Sequence, residues 1–165
     1  MSFPPSDRRL GATILVLPEA SLMSLAATLD PMRAANRIAG GSAFHWRVVS
    51  VDGKPVTTSC GLAMQVDGAF APQEECDLLI VVAAFNVARH MTPRLIAALR
   101  LAARRAGMIG GVEAGSWALA MAGLLDQREA TTHWEDLEEF AARFPAVRVK
   151  PDRWVVDGPV FTTGG

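Results

Sequence analysis

Two short runs with no polar face set the limits on what this chain can fold into. ATILVLP (12–18) and CDLLIVVAAF (76–85) are apolar at nearly every position and rich in β-branched residues, the first ended by Pro18 and the second by Phe85-Asn86. A strand with one wet face alternates, whereas a run that is apolar throughout predicts a strand buried on both faces, the kind found in parallel sheets covered by helices. Neither run approaches the ~18 residues that a membrane span needs.

The segments between these runs have other periods. Leu22, Leu25, Ala26, Leu29 and Met32 to Ala35 recur at helical spacing, with Ser21 as cap and Gly40-Gly41 as stop. Pro31 interrupts that pattern and predicts a kink or a second helix start. FHWRVVSVDG (44–53) alternates through Phe44, Trp46 and Val48 into a DG turn, which predicts a second strand. Residues 54–70 read as short extended pieces around a Cys60-Gly61 turn. From Thr92 to Arg105 an apolar stripe (Leu95, Ile96, Leu99, Ala102, Ala103) is backed by arginines, a surface helix with a solvated face and Gly107 as terminator. WEDLEEFAARF (134–144) is amphipathic through Trp134, Leu137, Phe140, Ala141 and Phe144, with acidic residues in its first turn where the macrodipole favours them. VRVK, RWVV and PVFTT end the chain as three short strands around the Asp157-Gly158 turn.

Strands alternating with helices over 165 residues predict a three-layer α/β sandwich with a mainly parallel sheet. Residues 1–10, with Pro4 and Pro5, read as a loose lead-in, and 11–165 as the domain. The chain is 50% hydrophobic and 20% charged, which excludes disordered and coiled-coil classes. Sixteen basic residues against 17 acidic ones give a net charge of −1, which provides no field to hold nucleic acid or an anionic membrane. Cys60 and Cys76 have no CxxC spacing, and the start MSFPPSDRR lacks an apolar leader, so a reducing cytoplasm is the expected location.

MIGGVEAGSWALAMAGLL (108–125) carries the chemistry: a short strand, a turn flanked by Gly111 and Gly115, and a helix apolar on nearly every side, which must be central. Such a turn is the geometry of a nucleophile elbow, which lifts one side chain clear of the backbone. Here that position is Glu113.

The GVEAG turn resembles the elbow of PfpI/ThiJ-type domains, relatives of class I glutamine amidotransferases with a flavodoxin-like fold, whose pattern is roughly GxCxG. LDPMRAANRIAG (29–40), WRVVSVDGKPV (46–56), AGLLD (122–126), ATTHWEDLEEFAARFP (130–145) and DRWVVDGPVFTTGG (152–165) are similar to the sensor domain of GlxA-like, AraC-family transcription regulators. In the family's enzymes a cysteine holds the elbow, an acidic residue on the first strand-helix connection assists it and a histidine follows the elbow helix. The corresponding positions here are Glu113, Ser24 and His133, so of the three only the histidine survives. A carboxylate beside a hydroxyl has no comparable route to acyl-enzyme chemistry. The resemblance therefore implies a non-catalytic, dimerising sensor of a small-molecule effector with no cofactor. It also implies that DNA is contacted only through a helix-turn-helix domain, which, like a further C-terminal helix, this sequence does not include.

The resemblance places a ligand cleft at the strand ends, with Glu19 to Ser24, Ala84, Phe85, Asn86, Glu113, Ala114, Gly115, Trp117, His133 and Trp134 as candidates. Related regulators sense arginine, carnitine or glycine betaine, and an anionic Glu113 beside Phe85, Trp117 and Trp134 would suit such a cationic or zwitterionic amine. Plainer readings stand beside these. The carboxylate of Glu113 can be held by amides at the helix start, and each tryptophan can be core. Ser116 reads as capping or lining the first turn of the helix, since VEAGS is not GxSxG. A PfpI/ThiJ-like hydrolase or glyoxalase-type enzyme, with Glu113 and His133 as an acid/base pair, is the alternative. His45 and His90 read as surface or strand-end residues, and the three histidines have no metal-ligand spacing.

Overall fold

The structure is a computed structural model that describes residues 9–41 and 43–165; most of the expected lead-in, residues 1–8, lies outside the described residues. The first apolar run forms β1 (Leu10–Val16) and the second β6 (Cys76–Ala83). They pair in parallel through Ala12 to Val16 against Leu78 to Val82. β2 (Phe44–Ser50) flanks β1 on its other side, and β7 (Ala106–Glu113) flanks β6. With β5 (Gly68–Ala69), β10 (Trp154–Asp157) and β11 (Val160–Thr163) they form a seven-stranded sheet of order β10-β11-β7-β6-β1-β2-β5. All neighbours are parallel except β10 and β11, which turn back on each other at Gly158.

Helices cover both faces, as the three-layer expectation requires. α1 (Leu22–Ile38) packs Leu25 and Met32 against Ile14, Val16, Ile80 and Val112 on one face. On the other face α3 (Pro93–Ala103), α4 (Gly115–Met121) and α5 (Leu137–Arg143) bury Leu95, Leu99, Ala118, Leu119 and Phe140 against Leu15, Leu79 and Val81. Alternate residues of β1 and β6 thus belong to two separate cores, which is why both runs are apolar at nearly every position. The α1 face is the less covered: an apolar groove of about 500 Å³ runs between α1 and the β6, β7 and β11 strands, lined by Ala27, Met32, Ile80, Val112, Trp154 and Phe161.

Several expectations need correction. Pro31 does not start a second helix; it lies inside one continuous helix whose buried face, Leu25 and Met32, spans the proline. Gly107 does not terminate α3, which ends at Ala103, but lies in β7, where a Cβ would approach the Asp77 carbonyl oxygen to 2.9 Å. A four-residue helix after β6, α2 (Val87–His90), has too short a pattern to show in the sequence. The amphipathic stretch from Trp134 opens as a 3-10 turn (Trp134–Asp136), and the Trp134 side lies outside the core, at 72% exposure. The extended pieces of 54–70 are the β3 (Val56–Thr57) and β4 (Ala63–Met64) hairpin followed by β5. A separate two-stranded pair joins β8 (Glu129–Ala130) to β9 (Arg148–Val149).

Candidate functional site

The chain passes from β1 to β2 on one side of β1 and resumes with β6 on the other, so the connections leaving β1 and β6 diverge and open a crevice at the carboxyl edge of the sheet. Three of the four described non-glycine residues with positive φ stand in the connections after β1, β6 and β7: Glu19 (62°), Asn86 (53°) and Glu113 (57°). Left-handed backbone at a residue with a Cβ costs on the order of 1–2 kcal/mol, and such strain gathers where side-chain placement matters more than local stability. Asn86 Nδ2 donates to Glu19 Oε2, so the first two of these connections are tied to each other.

The elbow forms as its glycines predict, and packing supplies the reason. A Cβ on Gly111 would meet Ser116 N at 2.7 Å, and one on Gly115 would meet the Val81 carbonyl oxygen at 2.0 Å. α4 therefore starts directly against the backbone of β6, and Glu113 is pushed out at the turn. Ser116 does not cap α4; it is fully buried and lines the first turn, its Oγ donating to the Glu113 carbonyl at 2.9 Å. The Glu113 carboxylate is held differently from the helix-amide expectation. Ser24 Oγ, in the first turn of α1 and 2% exposed, donates to Glu113 Oε2 at 2.5 Å.

Glu113 lines a cleft of about 640 Å³ together with Ala84, Phe85, Asn86, Ala114, Trp117 and His133, so seven of the expected positions come together. Ser24, Gly115 and Trp134 do not line it. Ser24 faces the groove on the α1 side, Gly115 is spent on the contact with β6, and Trp134 borders a separate cavity with Pro151 and Arg153. The aromatic cage is accordingly not formed. The Trp117 ring stands edge-on to Phe140 and Phe144, each at 5.4 Å, and belongs mainly to the core, while Phe85 is 59% exposed and offers its ring to the cleft.

The residues the sequence reading passed over are charged. Glu135, Asp136 and Glu139 face the cleft beside Glu113, with Arg89 of α2 as the cationic side chain among its lining residues. Glu135 and Asp136 lie in the 3-10 turn and Glu139 in α5, so the acidic residues that the sequence assigns to dipole compensation also line the cleft. Burial pushes the Asp136 carboxyl above its ordinary value, against the pull of His133 and with a further push from Glu139 and Glu135. His133 Nδ1 lies 3.8 Å from Glu135 Oε2. His90 is not the plain surface residue expected: its Nε2 is buried with no partner among the described residues.

Neither thiol serves the elbow. Cys76 opens β6, level with Ala106, seven residues down the β7 strand from Glu113, roughly 23 Å at ~3.3 Å per residue. Cys60 is exposed in the β3-β4 turn and does not line the cleft. Among the described residues no group of three or more His, Cys, Asp or Glu is placed to hold a metal ion, and no helix is long and apolar enough to cross a membrane.

A doubly wound sheet with a strained elbow over an acidic cleft defines a class of α/β domain, and the sequence comparison names it. The chain belongs to the DJ-1/PfpI family, which it matches over residues 12–165. It is 41% identical to the HTH-type transcriptional regulator CdhR of Pseudomonas aeruginosa over 151 residues, which is 92% of this chain and 45% of CdhR. It is 34% identical to the HTH-type transcriptional regulator GbdR of the same species over 98% of this chain and 44% of that protein. The chain thus spans about half the length of the curated relatives it matches. Among solved structures, an AraC family transcriptional regulator from Pseudomonas putida superposes with a TM-score of 0.81 at 26% identity, over 94% of this chain and 84% of that one.

Proposed function

We propose that this domain is a non-catalytic sensor for a small cationic or zwitterionic amine, acting as the effector-binding half of a transcription regulator. The observation that carries the reading is the elbow itself. The side chain lifted into the cleft is a carboxylate, Glu113, hydrogen-bonded to a serine and accompanied by Glu135, Asp136 and Glu139. Four carboxylates against Arg89 favour a cation, and the exposed Phe85 ring adds a face on which an ammonium group can rest. Nucleophilic chemistry lacks a nucleophile here, because the elbow bears no thiol and both cysteines lie elsewhere. The names of the relatives supply the rest of the reading: DNA contact belongs to another part of such regulators, and pairing of two copies, in the cytoplasm, completes it.

The test is a thermal-shift titration of the chain with choline, glycine betaine, L-carnitine and L-arginine, with glycerol as a neutral control. Saturating binding at a hundredfold excess over Kd stabilises the folded state by about 2.7 kcal/mol, or about 5–11 °C for a domain of this size. Glu113→Gln should abolish most of the shift. No shift with any of the four amines overturns the cation reading, and turnover of a small-molecule substrate that is lost in Glu113→Ala would favour an enzyme.

A further inference from the structure

Glu113 stands between two cavities that open on opposite faces of the sheet. Glu113 lines the acidic cleft on the α4 and α5 side, while its hydrogen-bond partner Ser24 lines the apolar groove on the α1 side. Ser24 is almost wholly buried and sits one turn into α1, capped in its turn by Ser21, whose Oγ accepts from Ser24 N at 3.3 Å. Gly165 closes the contact: a Cβ there would lie 3.5 Å from Glu113 Cγ and 3.6 Å from Ser24 Oγ, so the end of the β11 segment rests on both side chains. One hydrogen bond thus joins α1 to the elbow, with the residues that follow β11 lying alongside it.

We propose that the Ser24–Glu113 hydrogen bond is the relay through which occupancy of the acidic cleft is transmitted to the opposite face of the domain. This rests on the cleft being the ligand site, and it assigns that site its output. Ser24 takes only Oε2 of Glu113, and a cation paired with the carboxylate from the cleft lowers the negative charge that strengthens this bond, so occupancy weakens the hold on Ser24. The left-handed backbone of Glu113 supplies the second requirement for a switch. It is a strained conformation kept in place by its surroundings, so loosening the bond to Ser24 also frees the elbow to relax. The effect then reaches the first turn of α1 and Gly164-Gly165, where Gly164 N donates to the Arg153 carbonyl beside the exposed Trp154. Coupling of this kind is reciprocal, so changes made at Ser24 must be felt in the cleft.

Hydrogen exchange read by mass spectrometry tests this on the parent chain, Glu113→Gln and Ser24→Ala, each with and without choline. Near-UV circular dichroism verifies that both variants keep the folded signature. Without choline, Glu113→Gln should speed exchange in residues 22–28 and 162–165 on the order of tenfold, since a charge-assisted hydrogen bond becomes a neutral one. Unchanged exchange in those segments overturns the relay. With choline, the parent should be protected at 84–89 and 133–139 and altered at 22–28, while Ser24→Ala should reach the same cleft protection at a shifted choline concentration and lose the effect at 22–28. Protection of the cleft with 22–28 unmoved in the parent sinks the relay and leaves the sensor reading standing. No protection of the cleft by choline, glycine betaine, L-carnitine or L-arginine overturns the sensor reading and the relay together.

Discussion

Replacing Glu113 by glycine and, separately, by alanine isolates the backbone strain at the elbow. Both variants lose the carboxylate that accepts from Ser24 at 2.5 Å, so that loss cancels when the two are compared. What remains is the Cβ. At φ 57° a residue with a Cβ pays about 1–2 kcal/mol that glycine does not, while the extra freedom of glycine in the unfolded chain returns about 0.4–1 kcal/mol. Glu113→Gly should therefore be the more stable of the two by about 1 kcal/mol, or about 2–4 °C in Tm. In an ordinary strand or helix the order is the reverse. Thermal melts followed by circular dichroism at pH 7 and 0.15 M salt resolve a difference of this size. An alanine variant as stable as the glycine variant, or more so, would refute a left-handed elbow and with it the strain argument for the site.

Gly115→Ala should cost about 3 kcal/mol, because its Cβ meets the Val81 carbonyl oxygen at 2.0 Å and a backbone atom of the central sheet cannot give way; Gly41→Ala, with no described atom within 4 Å of its Cβ, should stay near the parent, and urea midpoints compare the two. Asp136 has a carboxyl raised by burial, so its contribution to stability is fully present below the ordinary value of 3.8 and is lost as pH rises through the raised value. The Tm of Asp136→Asn relative to the parent should therefore climb between pH 3.5 and 7, and a flat difference would contradict the burial argument. Choline affinity should fall on acidification as Asp136 takes up a proton and the cleft loses one of its carboxylates, and Asp136→Asn should flatten that profile. Cys60 is exposed, with its thiol pulled down by the Thr58 hydroxyl and the Leu62 backbone, whereas burial pushes the Cys76 thiol up. Iodoacetamide at pH 7.5 should modify Cys60 first, and equal rates at the two thiols would count against these environments.

The strands were legible because burial on two faces leaves short runs, apolar at every position of 78–83 and at all of 12–17 but Thr13, with β-branched residues to set them apart from a helix. The elbow was legible for a related reason, since Gly111 and Gly115 occupy points where backbone approaches backbone and any side chain collides. α2 escaped notice because four residues cannot display a helical period. Pro31 does not divide the helix because the cost of a proline is local, whereas the burial of Leu25 and Met32 that outweighs it is set by the sheet beneath. Trp134 misled because an amphipathic pattern assigns a face without saying where the first turn tightens into 3-10 geometry, which swings the leading residue outward.

Composition and periodicity by themselves determined the class of fold, the order of strands and helices along the chain, and the identity of the residue lifted at the elbow. These are properties of local segments, and each segment carries its own record of how many faces it buries. The charge of the cleft and the partner of Glu113 were decided only by the tertiary structure. Glu113 meets Ser24 across 89 residues, and it shares a cavity with Glu135, Asp136 and Glu139 because α5 folds back over the carboxyl ends of β6 and β7. Spacing along a chain records what a segment needs from its surroundings. Which distant segment meets that need is settled when the layers close on the sheet and bring the two side chains within hydrogen-bonding distance.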